Sequence, residues 1–254
     1  MFKKSIVPLL FPLLLLSGCA ELMKTMQTVA AVKQLTESDI VGGLKEALTI
    51  GAKNAASRLA AQDGYWGDPA VRIPLPDEAK VIVDNIGRIP GGQQLLDDVI
   101  LRINRAAEDA AREVAPIFVS SVTQMTISDG YNILHGADNA ATVYLRNTTW
   151  NDLYSLYKPK ISTSTGKEIV AGISAGEAWS TLTQKWNSVA NSVAGRLAGF
   201  NPVTTDLDDF LTRKALDGVF LKLEGEELKI RKEVSARVTP LLREVFGTLD
   251  RQDK

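Results

Sequence analysis

The chain has 254 residues, 29 Lys+Arg against 30 Asp+Glu, one His and one Cys. That length holds one or two domains, and 45% apolar with 23% charged residues excludes wholesale disorder. One Cys and one His exclude a disulfide framework and multi-Cys or His-rich metal sites, and since phosphate binding needs a basic face, a net charge of −1 argues against nucleic acid as the main partner, so none is expected.

The first residues read as an address. Met1-Phe2-Lys3-Lys4-Ser5 is a short positive start, and residues 6–16 form an apolar run broken only by Pro8 and Pro12. A spanning helix needs about 20 apolar residues, so residues 1–18 are expected to be a secretory signal peptide. Leu16-Ser17-Gly18-Cys19 resembles the lipobox of bacterial lipoproteins. The resemblance implies cleavage before Cys19, a thioether-linked diacylglycerol on its sulfur and an N-acyl chain. Two or three chains anchor stably where one is marginal, at about 0.8 kcal/mol per buried CH₂. A chain starting at Cys19 has lost Lys3 and Lys4 and no acid, so its charge falls from −1 to −3. Ala20 stands where an Asp, by resemblance to enteric lipoproteins, would favour inner-membrane retention. The expected location is therefore the bacterial cell envelope, at the outer membrane facing the periplasm, with the membrane as partner through lipidated Cys19. The bland alternative is a secreted protein with a chance Cys.

Residues 19–37 read as a tether or an N-terminal helix, with Leu22, Met26, Val29, Val32 and Leu35 at helical spacing. Ile40, Leu44, Leu48, Ala52, Ala55 and Leu59 then predict a helix ending near Asp63-Gly64. Residues 63–76 break the pattern with turn chemistry and Pro69, Pro74 and Pro76, leaving one extended Pro-containing loop. Asp77 opens a helix stopped at Ile89-Pro90-Gly91-Gly92. Residues 93–114 form the strongest helix, with Leu96, Val99, Ile103, Ala107, Ala110 and Val114 in one stripe. Its polar face carries Arg102, Asn104, Arg105, Glu108, Asp109, Arg112 and Glu113. Pro116 kinks or ends it, and residues 117–126 continue as a helix or a strand. Further helices are expected from Ser128 to Gly136, from Ala140 to Lys158-Pro159, over 176–198, and from Thr205 or Asp206 through Leu228. A last helix opens at Thr239-Pro240, an N-cap followed by Pro at the first helical position. The reading is an all-α single domain over 38–247 of roughly eight to ten helices, with a polar tail over 248–254.

Motifs with chemistry are few, and no cofactor is implied. Gly172-Ile173-Ser174-Ala175-Gly176 matches G-x-S-x-G, but His135 precedes the Ser and no strand leads into it, so a small-residue loop before a helix is the expected reading. Thr163-Ser164-Thr165-Gly166-Lys167 lacks phosphate-loop spacing. His135 falls at a helix C-terminus, where a protonated ring suits the helix dipole. Asp63 and Asp68 offer oxygen ligands without the spacing of a calcium loop. Asp97-Asp98, Asp208-Asp209 and Glu226-Glu227 read as solvated faces, because adjacent helical residues do not face each other. One polar set stands out: Asn104, Arg105, Glu108, Asp129, Asp217, Glu227 and Arg231. Arg105 with Glu108 and Glu227 with Arg231 have pairing spacing, so packed helices would bury a charge network or a site.

Several segments carry a resemblance. They are Ile73-Pro74-Leu75-Pro76, Asn104-Arg105-Ala106-Ala107-Glu108, the run from Ile127 through Asp129-Gly130 to His135-Gly136, Ala141-Thr142 with Tyr144-Leu145, and Lys214-Ala215-Leu216-Asp217-Gly218-Val219-Phe220. In this order they resemble the bacterial family called domain of unknown function 4197, over about residues 40–247. The resemblance implies an all-helical envelope protein and carries no activity. Where that family often shows Asp-Ala, this chain has Asp129-Gly130. Three functions follow in order of preference: a lipid-anchored, non-catalytic protein binding an envelope partner; a binder of an apolar ligand, suggested by turn aromatics Tyr65 and Trp66; and a carboxylate enzyme built on Glu108, Asp129 and Glu227. The last requires those groups to converge in an open cleft.

Overall fold

Four helices close into a ring in the computed structural model, which describes residues 35–251. They are α1 (Glu37–Leu59), α4 (Val114–Gln124), α6 (Ala140–Thr165) and α9 (Leu207–Lys232). α9 packs on α1 and α6, and α4 packs on the same two from the other side. Phe118 of α4 meets Phe220 of α9 at 5.2 Å across the ring, and Phe220 stacks on Trp150 of α6 at 5.9 Å. Such contacts add to burial in a core otherwise aliphatic. Small residues set the helix spacing: a Cβ on Gly51 would lie 2.7 Å from Leu223 Cδ1, so α1 and α9 approach where that side chain is missing.

Around the ring stand α2 (Lys80–Asp84), α3 (Gly92–Ala111), α5 (Gly130–Leu134), α7 (Ala175–Ala190), α8 (Val193–Leu197) and α10 (Pro240–Phe246). The described residues thus hold ten α-helices and no strand, in one compact unit from Glu37 on. α3 packs between α6 and α7, while α5 and α10 pack on α1. The all-α expectation holds. The tether or helix expected over residues 19–37 lies, up to residue 34, outside the described residues, as do the signal peptide and Cys19.

Three predicted boundaries differ. The helix from 140 was expected to stop at Lys158-Pro159, yet α6 runs through Pro159 to Thr165. Pro159 is exposed, while Tyr157, Ile161, Ser164 and Thr165 are buried on the far side, so packing holds the turn that proline weakens. The helix expected over 176–198 splits, because Ser192 caps a new helix by accepting from Gly195 N at 3.0 Å. Val193, which opens that new helix, is exposed. Finally, Pro116 lies in the first turn of α4, where a missing N–H costs nothing, rather than ending a helix.

Candidate functional site

α3 is buried on more sides than its stripe predicts. Ala106, Ala107, Ala110 and Ala111 are buried and let neighbours approach closely, and Arg102, Asn104 and Glu108 are buried with them. Each of these polar groups is matched to backbone. Asn104 Oδ1 accepts from Ile73 N at 2.9 Å, and its Nδ2 donates to Ile73 O at 2.8 Å, as a paired strand would. Glu108 Oε1 accepts from Tyr65 N at 3.1 Å and Trp66 N at 3.0 Å. Arg105 donates to Glu108 Oε2 at 2.6 Å and to Asp63 Oδ1 at 2.7 Å. Burial works against the Arg105 charge, but these two carboxylates raise its pKa. Thus Asn104, Arg105 and Glu108 tie down the loop over 63–76, whose turn needs Asp63 at φ 66°.

One turn back on α3, Arg102 does the same for a second loop. It pairs with Asp98 at 2.7 Å and donates to the carbonyls of Val170, Ala171 and Ile173. That loop leads to Ser174, whose Oγ accepts from Glu177 N at 3.1 Å while Glu177 Oε2 accepts from Ser174 N at 2.8 Å. This capping box holds the Glu177 carboxyl below its usual range through the Ser174 backbone and hydroxyl. The hydroxyl of the G-x-S-x-G segment is therefore a helix cap.

Glu227 and Arg231 form a second centre. Both are buried, and their side chains meet at 2.8 Å. Glu227 also accepts from Ala141 N, Thr142 N and Thr142 Oγ1 at 3.0, 2.7 and 2.6 Å. Arg231 donates to Leu134 O at 2.7 Å and Ile133 O at 3.0 Å. One ion pair of α9 thus satisfies the N-terminus of α6 and the C-terminus of α5, both of which would otherwise bury unpaired backbone groups. The adjacent Glu226 is buried too, against the solvated face expected of Glu226-Glu227. Burial raises its pKa, but hydrogen bonds from Lys229 and Asn54 and the charge of Arg58 win and lower it.

The seven polar residues do not make one site. Tyr65, held by Glu108, donates its hydroxyl to Ala215 O of α9 at 2.8 Å. Glu227 stands three turns further along α9, about 18 Å by the helix rise. Asp129 is exposed and caps α5 through Asn132 N at 3.2 Å. Asp217 pairs with Arg146, which lies over the Trp150 ring. The carboxylates required by an enzyme reading do not converge: Glu108 and Glu227 are buried in separate pairings and Asp129 is an exposed helix cap, so that reading loses its basis. Asp63 and Asp68 are taken by Arg105 and Lys222, which removes the calcium reading. Among the described residues no group of three metal-ligating side chains occurs. His135 is the C-cap of α5 and lies against the Tyr131 ring at 4.3 Å. Tyr65, expected as an exposed turn aromatic, is fully buried.

Between the first of these loops, α3 and α7 lies an open cleft of about 960 Å³. Trp66 and Arg72 of the first loop stand on one side, Thr181 and Lys185 of α7 on the other, and Leu95 and Leu101 of α3 lie between. The Arg72 guanidinium lies over the Trp66 ring, 3.6 Å from its centroid. Sequence reading missed Arg102 and Arg72 as positioned groups.

The family model described as protein of unknown function DUF4197 matches residues 34–247. The chain belongs to this family. It has no significant match among curated proteins or among solved structures. In this DUF4197 protein Gly130 N donates to Glu37 Oε1 at 2.7 Å, and a Cβ at Gly130 would lie 2.8 Å from the same oxygen. Glycine at 130 is thus matched to Glu37 of this chain.

Proposed function

We propose that this DUF4197 protein is a lipid-anchored, non-catalytic binding protein of the bacterial cell envelope, held by acylated Cys19 at the outer membrane and facing the periplasm. The observation that carries the reading is Leu16-Ser17-Gly18-Cys19, placed directly after an apolar run and holding the only Cys of the chain. Ala20 after the Cys supports the outer membrane over the inner. Among the described residues no helix is long and apolar enough to cross a membrane. The polar groups of α3 support binding over catalysis, because their donors and acceptors are spent on fixing two loops. Labelling cells with a palmitate analogue tests the anchor. Wild type should carry label and Cys19→Ala should not; equal labelling of both would sink the reading. Separating the two membranes by density then tests the location.

A further inference from the structure

The cleft beside α3 has walls of unlike character. Leu95 and Leu101 are half-buried and apolar, and Trp66 adds an indole that Arg72 covers on one face. Two cations face the opening, Arg72 from the loop and Lys185 from α7, and both side chains are exposed. Neither is hydrogen-bonded to an acceptor or paired with a carboxylate among the described residues, although 17 ion pairs hold other charges of the domain. Of the two acids at the cleft, Asp98 is neutralised by Arg102 at 2.7 Å. Asp97 only accepts from Gln93, at 2.9 Å. The free charge of the cleft is therefore positive.

The Arg72 guanidinium is also pre-set. Its Cζ lies 3.6 Å from the Trp66 ring centroid, so the indole restrains it, and a guanidinium held on an aromatic face suits a planar anion. Its backbone cannot drift, because Arg72 N donates to Asp68 O at 2.8 Å and the next residue is gripped by Asn104. Trp66 is gripped in turn by Glu108. The buried polar groups of α3 thus place an indole and a guanidinium side by side over an apolar floor. A volume near 960 Å³ lies within the range of small-molecule sites.

We infer that this cleft binds an anionic amphiphile, its aliphatic chain on Leu95, Leu101 and Trp66 and its carboxylate or phosphate head between Arg72 and Lys185. The inference deepens the reading of the protein as a binder and does not depend on the anchor. Palmitate labelling tests Cys19 alone, and the measurement below tests the cleft alone, so either can fail while the other stands.

The test is calorimetric titration of the full-length protein in neutral phosphatidylcholine nanodiscs, with empty discs subtracted. The probes are octanoate, dihexanoyl phosphatidylglycerol and octyltrimethylammonium, each below its micelle concentration. Both anionic probes carry the required chemistry. Tighter binding of octanoate assigns a free acid as the source, and tighter binding of the glycerophospholipid assigns a lipid headgroup. The cationic probe should bind at least about tenfold more weakly, as charge complementarity demands. Arg72→Met keeps an aliphatic stem on the indole and removes the charge; with Lys185→Met it should weaken octanoate roughly tenfold or more. Asp97→Asn should strengthen it by about twofold to fivefold by removing the opposing charge. All these side chains are exposed, so circular dichroism should show an unchanged fold. Equal affinity for octyltrimethylammonium, an unaltered affinity in the double variant, or no binding of either anionic probe at millimolar concentration would overturn the inference.

Discussion

Glu227 shows how much one side chain carries here. Its carboxylate accepts from two backbone amides, one hydroxyl and Arg231, all inside the protein. Glu227→Gln keeps the shape but turns an NH₂ toward donors and leaves Arg231 without its counter-charge. Removing one partner of a buried pair costs about 3–5 kcal/mol, and urea unfolding should show a loss of that order. A loss no larger than that of an exposed variant such as Asp84→Asn would mean that water already serves these groups. Gly218 is limited by shape instead of charge. A Cβ there would lie 2.8 Å from Tyr65 Cε1, and the ring cannot retreat without releasing its bond to Ala215 O. Gly218→Ala should therefore cost about 1–3 kcal/mol by overpacking, read from the same unfolding curves. At this scale the sequence was half legible. The Arg105–Glu108 and Glu227–Arg231 pairings follow from i,i+3 and i,i+4 spacing. The amides that Glu108 accepts from belong to Tyr65 and Trp66, and no local spacing points to partners that far back in the chain.

Helices were legible from their stripes, and their ends were legible where a side chain does the capping. Thr239 accepts from Leu242 N at 3.2 Å with Pro240 at the first helical position, as the pair predicts. Ends fixed by distant groups were not: α6 opens at Asn139 with no side-chain cap of its own, because Glu227 from α9 supplies it. The same logic explains α6 passing Pro159, since buried Ile161, Ser164 and Thr165 reward the extra turn. Pro159 lies on the exposed side and donates nothing to the ladder, so Pro159→Ala should stabilise the protein by about 1–3 kcal/mol, part of the cost of an interior proline. A thermal melt should rise accordingly, and an unchanged or lowered melting point would show that α6 gains from proline's stiffness there. The capping box of α7 gives the opposite sign. Ser174→Ala should cost about 1 kcal/mol, and it also loosens the Val170–Ile173 carbonyls that Arg102 holds.

Across the whole molecule, three of the depressed carboxyls join distant segments. Asp68 joins the first loop to Lys222 of α9, and that hydrogen bond, with one from Ala70 N, lowers its pKa. Glu226 joins α9 to Asn54 and Arg58 of α1. Asp109 joins α3 to Lys167 at 2.6 Å and to Ser164 at 2.8 Å; burial raises its pKa, but these bonds and Arg112 outweigh that and lower it. A carboxyl whose folded pKa lies below its unfolded value stabilises the fold fully above the unfolded value and loses that contribution as pH falls through the folded one. The unfolded references are 3.8 for Asp and 4.5 for Glu. Stability should therefore be level through neutral and mildly acidic pH and fall below the carboxylate range, with the contacts joining the first loop, α1, α3, α6 and α9 weakening together. Asp109→Asn separates charge from packing. It should cost about 1 kcal/mol near pH 7, since Asp109 is only part-buried and its lysine partner half-exposed. Wild type protonates the same carboxyl in acid, so the two urea midpoints should converge as pH falls through its lowered folded value. A gap that persists there would place the effect of Asp109 in shape and hydrogen bonding to Ser164, and would remove this carboxyl from the acid response.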